Sequence, residues 1–111
     1  ASIPTPFGSA YTASKHGLGG LMKVAAIENA EYGITSNAIC PATTRSKLND
    51  RRLEFESKRF GATVDALKQR STPLGRRLEP EEVASLAIYL ASDAASGVNG
   101  QTINVCGGKV F

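Results

Sequence analysis

Residues 34–40 have the sequence I-T-S-N-A-I-C, a short run of β-branched and apolar residues between Gly33 and Pro41. A run of this length, bounded by glycine and proline, is typical of a buried strand in a parallel sheet. A second such run, Q-T-I-N-V-C, occupies residues 101–106 and ends before a pair of glycines. The stretches before each run have helical spacing instead. The sequence therefore predicts an α/β fold in which helices alternate with parallel strands.

The helix before the first strand is predicted to begin at Ser9 or Ala10 and to end at Gly33 in a left-handed cap. Apolar residues recur there at intervals of three and four, which predicts a buried stripe. Its members are Leu18, Leu21, Met22, Ala25, Ala26 and Asn29. The helix before the second strand is predicted to begin with Pro80 at its first position. Its predicted buried stripe consists of Val83, Leu86, Ala87 and Leu90.

The segment between the first strand and the second helix has a different character. Residues 47–72 are polar with sparse apolar positions, which predicts one or two amphipathic helices divided at Gly61. The order helix, strand, excursion, helix, strand matches part of a doubly wound parallel sheet. Because two strands alone do not make a stable parallel sheet, we expect residues 1–111 to form one portion of a larger Rossmann-like domain. The chain begins with Ala1, which agrees with that expectation.

Composition narrows the function classes. The apolar fraction is 41% and the charged fraction 21%, as in ordinary globular proteins. No run of about 18 apolar residues and no signal peptide is visible, so we expect a cytoplasmic protein and no membrane partner.

Cys40 and Cys106 are far apart in sequence and are expected to be reduced, buried thiols. With one histidine, His16, and no ligand spacing, we expect no metal site and a structural or surface role for that histidine.

The net charge of +3 is unevenly distributed. Between Arg45 and Arg77 there are ten Lys or Arg residues and four Asp or Glu residues. Such a segment can attract phosphates, acyl carriers or nucleic acid, but long amphipathic helices also carry basic residues simply as a solvated face. No aromatic residues interleave the charges as a stacking platform, so we expect no nucleic-acid partner.

Tyr11 and Lys15 are the candidate catalytic residues. On a helix, a spacing of four places both side chains on one face, one turn apart. An ammonium group beside a phenol favours the phenolate, which suits the pair to proton transfer. A half-exposed helical tyrosine with a solvated lysine is the alternative interpretation. The surrounding small residues, including Gly17, Gly19 and Gly20, favour close approach of a backbone or a flat ligand instead.

Four segments in order resemble the C-terminal half of a short-chain dehydrogenase/reductase. They are S-A-Y-T-A-S-K-H-G, G-I-T-S-N-A-I-C-P-A, P-L-G-R-R-L-E-P-E-E-V-A and Y-L-A-S-D-A-A-S-G-V-N-G-Q-T-I-N-V-C-G-G. The first resembles the catalytic helix of that family, and the second resembles its next strand and cofactor-binding turn. The last two resemble the entry to the penultimate helix and the final helix, turn and strand. The match covers essentially all 111 residues.

The resemblance implies an NAD(P)-dependent oxidoreductase that transfers hydride between nicotinamide and a secondary alcohol or ketone. Tyr11 is the implied general acid/base, and Lys15 the implied partner of both Tyr11 and the nicotinamide ribose. The implied cofactor-binding turn runs through Pro41, Ala42, Thr43 and Thr44, and Ser46 stands where the family usually has a threonine near the cofactor phosphates. Residues 47–72 correspond to the mobile substrate lid. The sequence from K-H-G to N-A-I-C-P is also reminiscent of 3-hydroxybutyrate dehydrogenases.

The chain departs from the family pattern in several places. Ala42 replaces the usual glycine of the turn, and Cys106 replaces a common aspartate. The glycine-rich phosphate loop, the residue that separates NAD from NADP and the catalytic serine are not among residues 1–111. An alternative function is therefore a catalytically inactive piece that serves oligomerisation, through apolar stripes on residues 18–29 and 83–90. The family pattern also implies a homo-oligomer, either a tetramer or a dimer.

Overall fold

The computed structural model describes residues 8–109. The chain forms four α-helices and two β-strands in this part, with short 3₁₀ turns after the first and fourth helices. Their bounds are α1 Ser9–Asn29, β1 Ala38–Pro41, α2 Lys47–Phe60, α3 Val64–Gln69, α4 Pro80–Leu90 and β2 Thr102–Val105. The predicted alternation of helices and parallel strands is confirmed.

Glycine ends the first two helical segments as predicted. After α1, a 3₁₀ turn at Ala30–Tyr32 is closed by Gly33, which has φ 73° and donates its N–H to the carbonyl of Ala30 at 3.0 Å. Gly61 ends α2 with φ 75° and bonds to Ser57 O at 3.0 Å. Both positions require the left-handed conformation, which glycine adopts without the steric cost of a Cβ atom. The predicted division of residues 47–72 at Gly61 is therefore confirmed.

The strand β1 is shorter than the predicted run of 34–40. Side chains replace the strand ladder before Ala38: Ser36 N donates to Asn99 Oδ1 at 2.9 Å, and Asn37 Nδ2 donates to Val98 O at 2.9 Å. Asn99 Nδ2 in turn donates to Ala26 O at 3.1 Å, and Gly100 N donates to Ser36 O at 2.8 Å. The asparagines satisfy the backbone groups that a longer strand would have paired.

The two strands form a parallel two-stranded sheet. Ala38 N donates to Gln101 O at 2.8 Å near the start of the pair, and Ala42 N donates to Val105 O at 2.9 Å just past its end. From the first of these bonds to the second, the residue number rises by the same amount on both strands, so the strands are parallel. The turn that follows β1 thus begins at the carboxyl end of the sheet, where ligands bind in open α/β folds.

The chain divides into two compact units within the described residues. The first comprises residues 8–40 and 85–104, and the second comprises residues 41–84 and 105–109. Met22, Ala26 and Ala95 are the buried apolar residues of the first unit. Leu53 and Leu78 have that role in the second unit, together with buried Thr72 and Arg77.

The predicted buried stripes are only partly buried. On α1, Met22 and Ala26 are buried, whereas Leu18 is 57% exposed and Leu21 is 66% exposed. On α4 no residue is fully buried, and Ala87 is exposed. A doubly wound sheet covers its helices where several strands run beneath them, and the described residues contain two strands. The apolar surface that the sequence pattern marked as core is therefore open in this part of the chain.

Candidate functional site

The structure brings Tyr11 and Lys15 together on α1. The Lys15 Nζ atom lies 5.5 Å from the centroid of the Tyr11 ring, which is within cation–π range. Tyr11 is 63% exposed. The spacing of four residues on a regular helix produces this contact, as the sequence predicted.

The position of Tyr11 along the helix adds a second favourable charge. Gly8 is the N-cap of α1 and makes no side-chain capping bond, so Tyr11 lies in the first turn of a helix of 21 residues. The helix macrodipole places partial positive charge at this end, and that charge favours an anionic oxygen nearby. No acidic residue occupies this first turn. Tyr11 therefore lies near the Lys15 ammonium group and within the first turn of α1.

Two neighbours of Tyr11 bond locally along α1. Ser14 Oγ donates to the carbonyl of Tyr11 at 2.7 Å, and His16 Nδ1 lies 2.9 Å from the carbonyl of Thr12. Both side chains are exposed. The structure therefore places His16 on the surface of the helix, in agreement with the role expected for it.

The predicted cofactor turn is held by hydrogen bonds within the second unit. Thr44 Oγ1 donates to Ala42 O at 2.8 Å, which closes the turn on itself. Leu78 N donates to Thr43 O at 2.9 Å, and Arg45 N donates to Leu78 O at 2.8 Å, so the turn forms a parallel bridge with the segment before α4. The backbone of residues 42–45 is thus fixed from two sides.

Ser46 combines two properties of an anion-binding residue. Its Oγ accepts a hydrogen bond from Asn49 N at 3.0 Å and caps α2, a helix of 14 residues. A hydroxyl that accepts in this way keeps its own proton for donation to another acceptor. The N–H groups of the first helical turn point in the same direction, which is the usual arrangement for binding phosphate. The donor set at Ser46 therefore fits a dinucleotide phosphate.

Ion pairs surround the cofactor turn and the start of α4. Arg45 Nε donates to Glu79 Oε2 at 2.6 Å, and the hydrogen bond to that carboxylate raises the pKa of Arg45. Arg76 binds Glu82 with both terminal nitrogens, at 2.7 Å and 3.2 Å. The Arg76 hydrogen bond, followed by the bond from Glu79 N at 3.0 Å, holds the pKa of Glu82 below its usual value. The Glu82 carboxylate thus caps the start of α4 by accepting from Glu79 N, which is one half of a capping box.

Arg77 belongs to this region, and the sequence reasoning did not identify it. Its side chain is 8% exposed, and Nη1 donates to Asn49 Oδ1 at 2.7 Å and to Asp50 Oδ1 at 2.6 Å. The sequence shows an Arg-Arg pair after Gly75, and nothing local distinguishes exposed Arg76 from buried Arg77. A contact between residues 27 and 28 positions apart gives no periodic signal in the sequence.

Residues 8–109 contain no group of three or more His, Cys, Asp or Glu residues that could hold a metal ion. Among the described helices, none has the length and the apolar character that crossing a bilayer requires.

Comparison with known proteins gives a family. Residues 1–109 match a family model described as enoyl-(acyl carrier protein) reductase. The chain is 39% identical over 106 residues to a D-beta-hydroxybutyrate dehydrogenase of Cupriavidus necator, covering 92% of this chain and 41% of that protein. The chain spans about 40% of the length of the curated relatives it matches.

Two solved structures share the fold. A short chain dehydrogenase family protein of Francisella tularensis superposes with a TM-score of 0.84 at 30% identity, covering 95% of this chain and 45% of that one. The F189W actinorhodin polyketide ketoreductase with NADPH superposes with a TM-score of 0.82 at 33% identity, covering 95% of this chain and 41% of that one. The ordered motifs, the parallel α/β structure and these matches agree, and the chain belongs to the short-chain dehydrogenase/reductase family.

Proposed function

We propose that this chain carries the proton-transfer part of an NAD(P)-dependent oxidoreductase that interconverts a secondary alcohol and a ketone. The observation that carries the proposal is the Tyr11–Lys15 contact at the N-terminus of α1. The nicotinamide supplies or accepts the hydride when it is bound. The residues of this chain bind, orient and move a proton at the substrate oxygen.

Tyr11 is the proposed general acid/base, acting through its phenolic oxygen. Positively charged groups near a tyrosine can assist proton transfer by its hydroxyl group. Lys15 Nζ lies 5.5 Å from the centroid of the Tyr11 ring, and Tyr11 lies in the first turn of α1. Tyr11 is 63% exposed, which is compatible with approach of a substrate oxygen to this residue.

The proposed cofactor contacts come from Lys15 and from the turn after β1. Lys15 would donate to the ribose hydroxyls, and the backbone of residues 41–44 would meet the nicotinamide amide. The free hydroxyl proton of Ser46 and the N-terminus of α2 suit the cofactor phosphates. NAD and NADP differ at the adenosine ribose, and none of the proposed contacts involves that ribose. Both cofactors are therefore compatible with these contacts.

The proposed substrate is a small hydroxy or keto compound, and 3-hydroxybutyrate is the named candidate. Support comes from the relative described as a D-beta-hydroxybutyrate dehydrogenase. Residues 47–72, which contain α2 and α3, are the proposed substrate lid. The lid would exclude water and select the substrate when it closes.

Substitution of Tyr11 in the protein at its full natural length tests the proposal. Tyr11→Phe removes the proton donor and keeps the ring, so we expect turnover to fall by about 10²–10⁴-fold while cofactor binding persists. Tyr32→Phe is the matched control, because Tyr32 is 70% exposed and lies beyond α1. Retained turnover in Tyr11→Phe would refute the catalytic role.

Oligomerisation is a second candidate function that rests on a different observation. Leu18, Leu21 and Ile27 on α1 and Ile88 on α4 are all more than half exposed. Exposed apolar side chains of this kind are found at protein interfaces, and a homo-oligomer is the proposed assembly. If the chain served only as such an interface, titration with NADH or NADPH would show no binding in the micromolar range.

The proposed location is the cytoplasm. Half-buried Cys106 carries a free thiol, which a reducing compartment maintains. Fractionation of cells that produce the protein would test this location.

A further inference from the structure

Arg77 is the charged side chain that the structure buries within residues 8–109. A buried guanidinium needs hydrogen-bond acceptors, because desolvation of an unpaired charge is costly. Its acceptors are Asn49 Oδ1 at 2.7 Å and Asp50 Oδ1 at 2.6 Å, both in the first turn of α2. The side chain of Arg77 therefore ties the start of the proposed lid to the segment before α4.

The backbone next to Arg77 is bonded to the cofactor turn. Leu78 is 3% exposed, its N–H donates to Thr43 O at 2.9 Å, and its carbonyl accepts from Arg45 N at 2.8 Å. The adjacent residues Arg77 and Leu78 are thus bonded to two different segments of the chain. The side chain of Arg77 holds α2, and the backbone of Leu78 holds residues 43–45.

Ser46 lies in the chain between these two targets. Arg45 precedes it and is bonded to Leu78, and the helical turn that contains Asn49 and Asp50 follows it. The direction of the Ser46 hydroxyl and of the free N–H groups of α2 depends on both attachments. An error of about 1 Å in a binding group can cost orders of magnitude in function, so such attachments matter.

We propose that Arg77 is a positioning residue for cofactor binding, which acts by orienting Ser46 and the N-terminus of α2 toward the cofactor phosphates. This inference rests on the proposed function, because it requires a dinucleotide at that helix end. Arg77 makes no direct contact with the ligand in this role. It keeps the anion-binding end of α2 aligned with the cofactor turn when the rest of the lid moves.

Arg77→Met in the protein at its full natural length is the principal test. The substitution keeps an unbranched apolar stem and removes both hydrogen bonds to α2. We expect the KM for the nicotinamide cofactor to rise about tenfold or more while kcat changes by less than about threefold, because binding groups are displaced and the proton-transfer pair is not. Arg77→Lys should recover part of the loss, since the ammonium group keeps the charge and can donate to two oxygens, but the lysine side chain is one bond shorter than the reach of Arg77 Nη1.

Arg76→Met is the matched control. It makes the same change at the adjacent position, where the side chain is about half exposed and pairs with Glu82 instead of with α2. We expect the cofactor KM to remain near that of the unaltered protein. A rise equal to that of Arg77→Met would overturn the inference, because it would indicate a general effect of lost charge in this segment.

Hydrogen exchange separates the positioning role from the proposed function. Asn49 N is bonded to Ser46 Oγ and Asp50 N to Ser46 O, so both amides report on the first turn of α2. We expect Arg77→Met to speed exchange at both amides without cofactor. Unchanged exchange would overturn the inference, whereas absence of nucleotide binding by the unaltered protein would overturn the proposed function.

Asp50→Asn decides the question if Arg77→Met does not fold. It removes the carboxylate charge, keeps an oxygen acceptor, and changes a side chain that is half exposed. We expect a smaller rise in cofactor KM, about threefold, together with faster exchange at Asn49. A cofactor KM and an exchange rate both equal to those of the unaltered protein would overturn the inference.

Discussion

Replacement of Gly107 by alanine should destabilise the second unit more than the same replacement at Gly61. Gly107 has φ +58°, and a Cβ atom there would lie 2.7 Å from Thr72 Oγ1 and 2.8 Å from Thr72 Cβ. Thr72 is 4% exposed, and its hydroxyl donates to Arg76 O at 2.7 Å, so it cannot move aside without losing that bond. The left-handed backbone costs an alanine about 1 kcal/mol, and the overpacking adds about 1–3 kcal/mol.

We therefore expect Gly107→Ala to lower the free energy of unfolding by about 2–4 kcal/mol. Gly61→Ala is the matched control, because Gly61 has φ +75° but no atom within 4 Å of an added Cβ. Its expected loss is about 1 kcal/mol, from the backbone conformation alone. Urea unfolding of the protein at its full natural length measures both values. Losses that agree within about 0.5 kcal/mol would show that the Thr72 contact relaxes freely, contrary to this reasoning.

Two further predictions concern the same region. Arg76 and the N–H of Glu79 lower the pKa of Glu82 in the folded state. Glu82 therefore stabilises the folded protein at pH values above its unfolded-state pKa of about 4.5. This stabilisation is lost as the pH falls through the folded-state pKa of Glu82. Glu82→Gln should therefore lessen the loss of stability on acidification below that pH in thermal unfolding, and an identical acid dependence would count against the ion pair. Ser46→Ala and Thr63→Ala each remove an N-cap and should each cost about 1 kcal/mol of stability. Ser46→Ala alone should also raise the cofactor KM, and an equal rise in Thr63→Ala would contradict the phosphate contact.

Local rules predicted much of the fold. Gly33 and Gly61 end helical segments because only glycine takes their left-handed backbone without strain, and Pro80 begins α4 because its missing N–H needs no partner there. The Tyr11–Lys15 contact also follows from spacing on one helix. Each of these features depends on a few neighbouring residues, which a sequence displays directly.

Long-range contacts escaped prediction. The shortening of β1 depends on Asn99, which is 63 residues from Ser36 in sequence, and the burial of Arg77 depends on acceptors in α2. Leu18 and Leu21 have the spacing that is typical of core residues, yet both are exposed. A helix residue of this kind is buried only where strands of the sheet lie beneath it. Sequence periodicity marks a face as apolar, but it does not identify what covers that face.

The asparagine cross-links at the start of β1 have a chemical consequence. Asn99 precedes Gly100, a sequence in which the glycine amide nitrogen can attack the carbonyl carbon of the asparagine side chain. Ammonia then leaves, and water opens the resulting succinimide to aspartate or isoaspartate. In the folded chain that amide is bonded to Ser36 O at 2.8 Å, and the Asn99 side chain is engaged at both ends, by Ser36 N and Ala26 O. The hydrogen bond to Ser36 O therefore keeps Gly100 N from attacking the Asn99 side chain in the folded chain. Deamidation at Asn99 would occur in molecules in which these hydrogen bonds had broken. The fraction of deamidated chains would therefore report how often this end of the sheet opens.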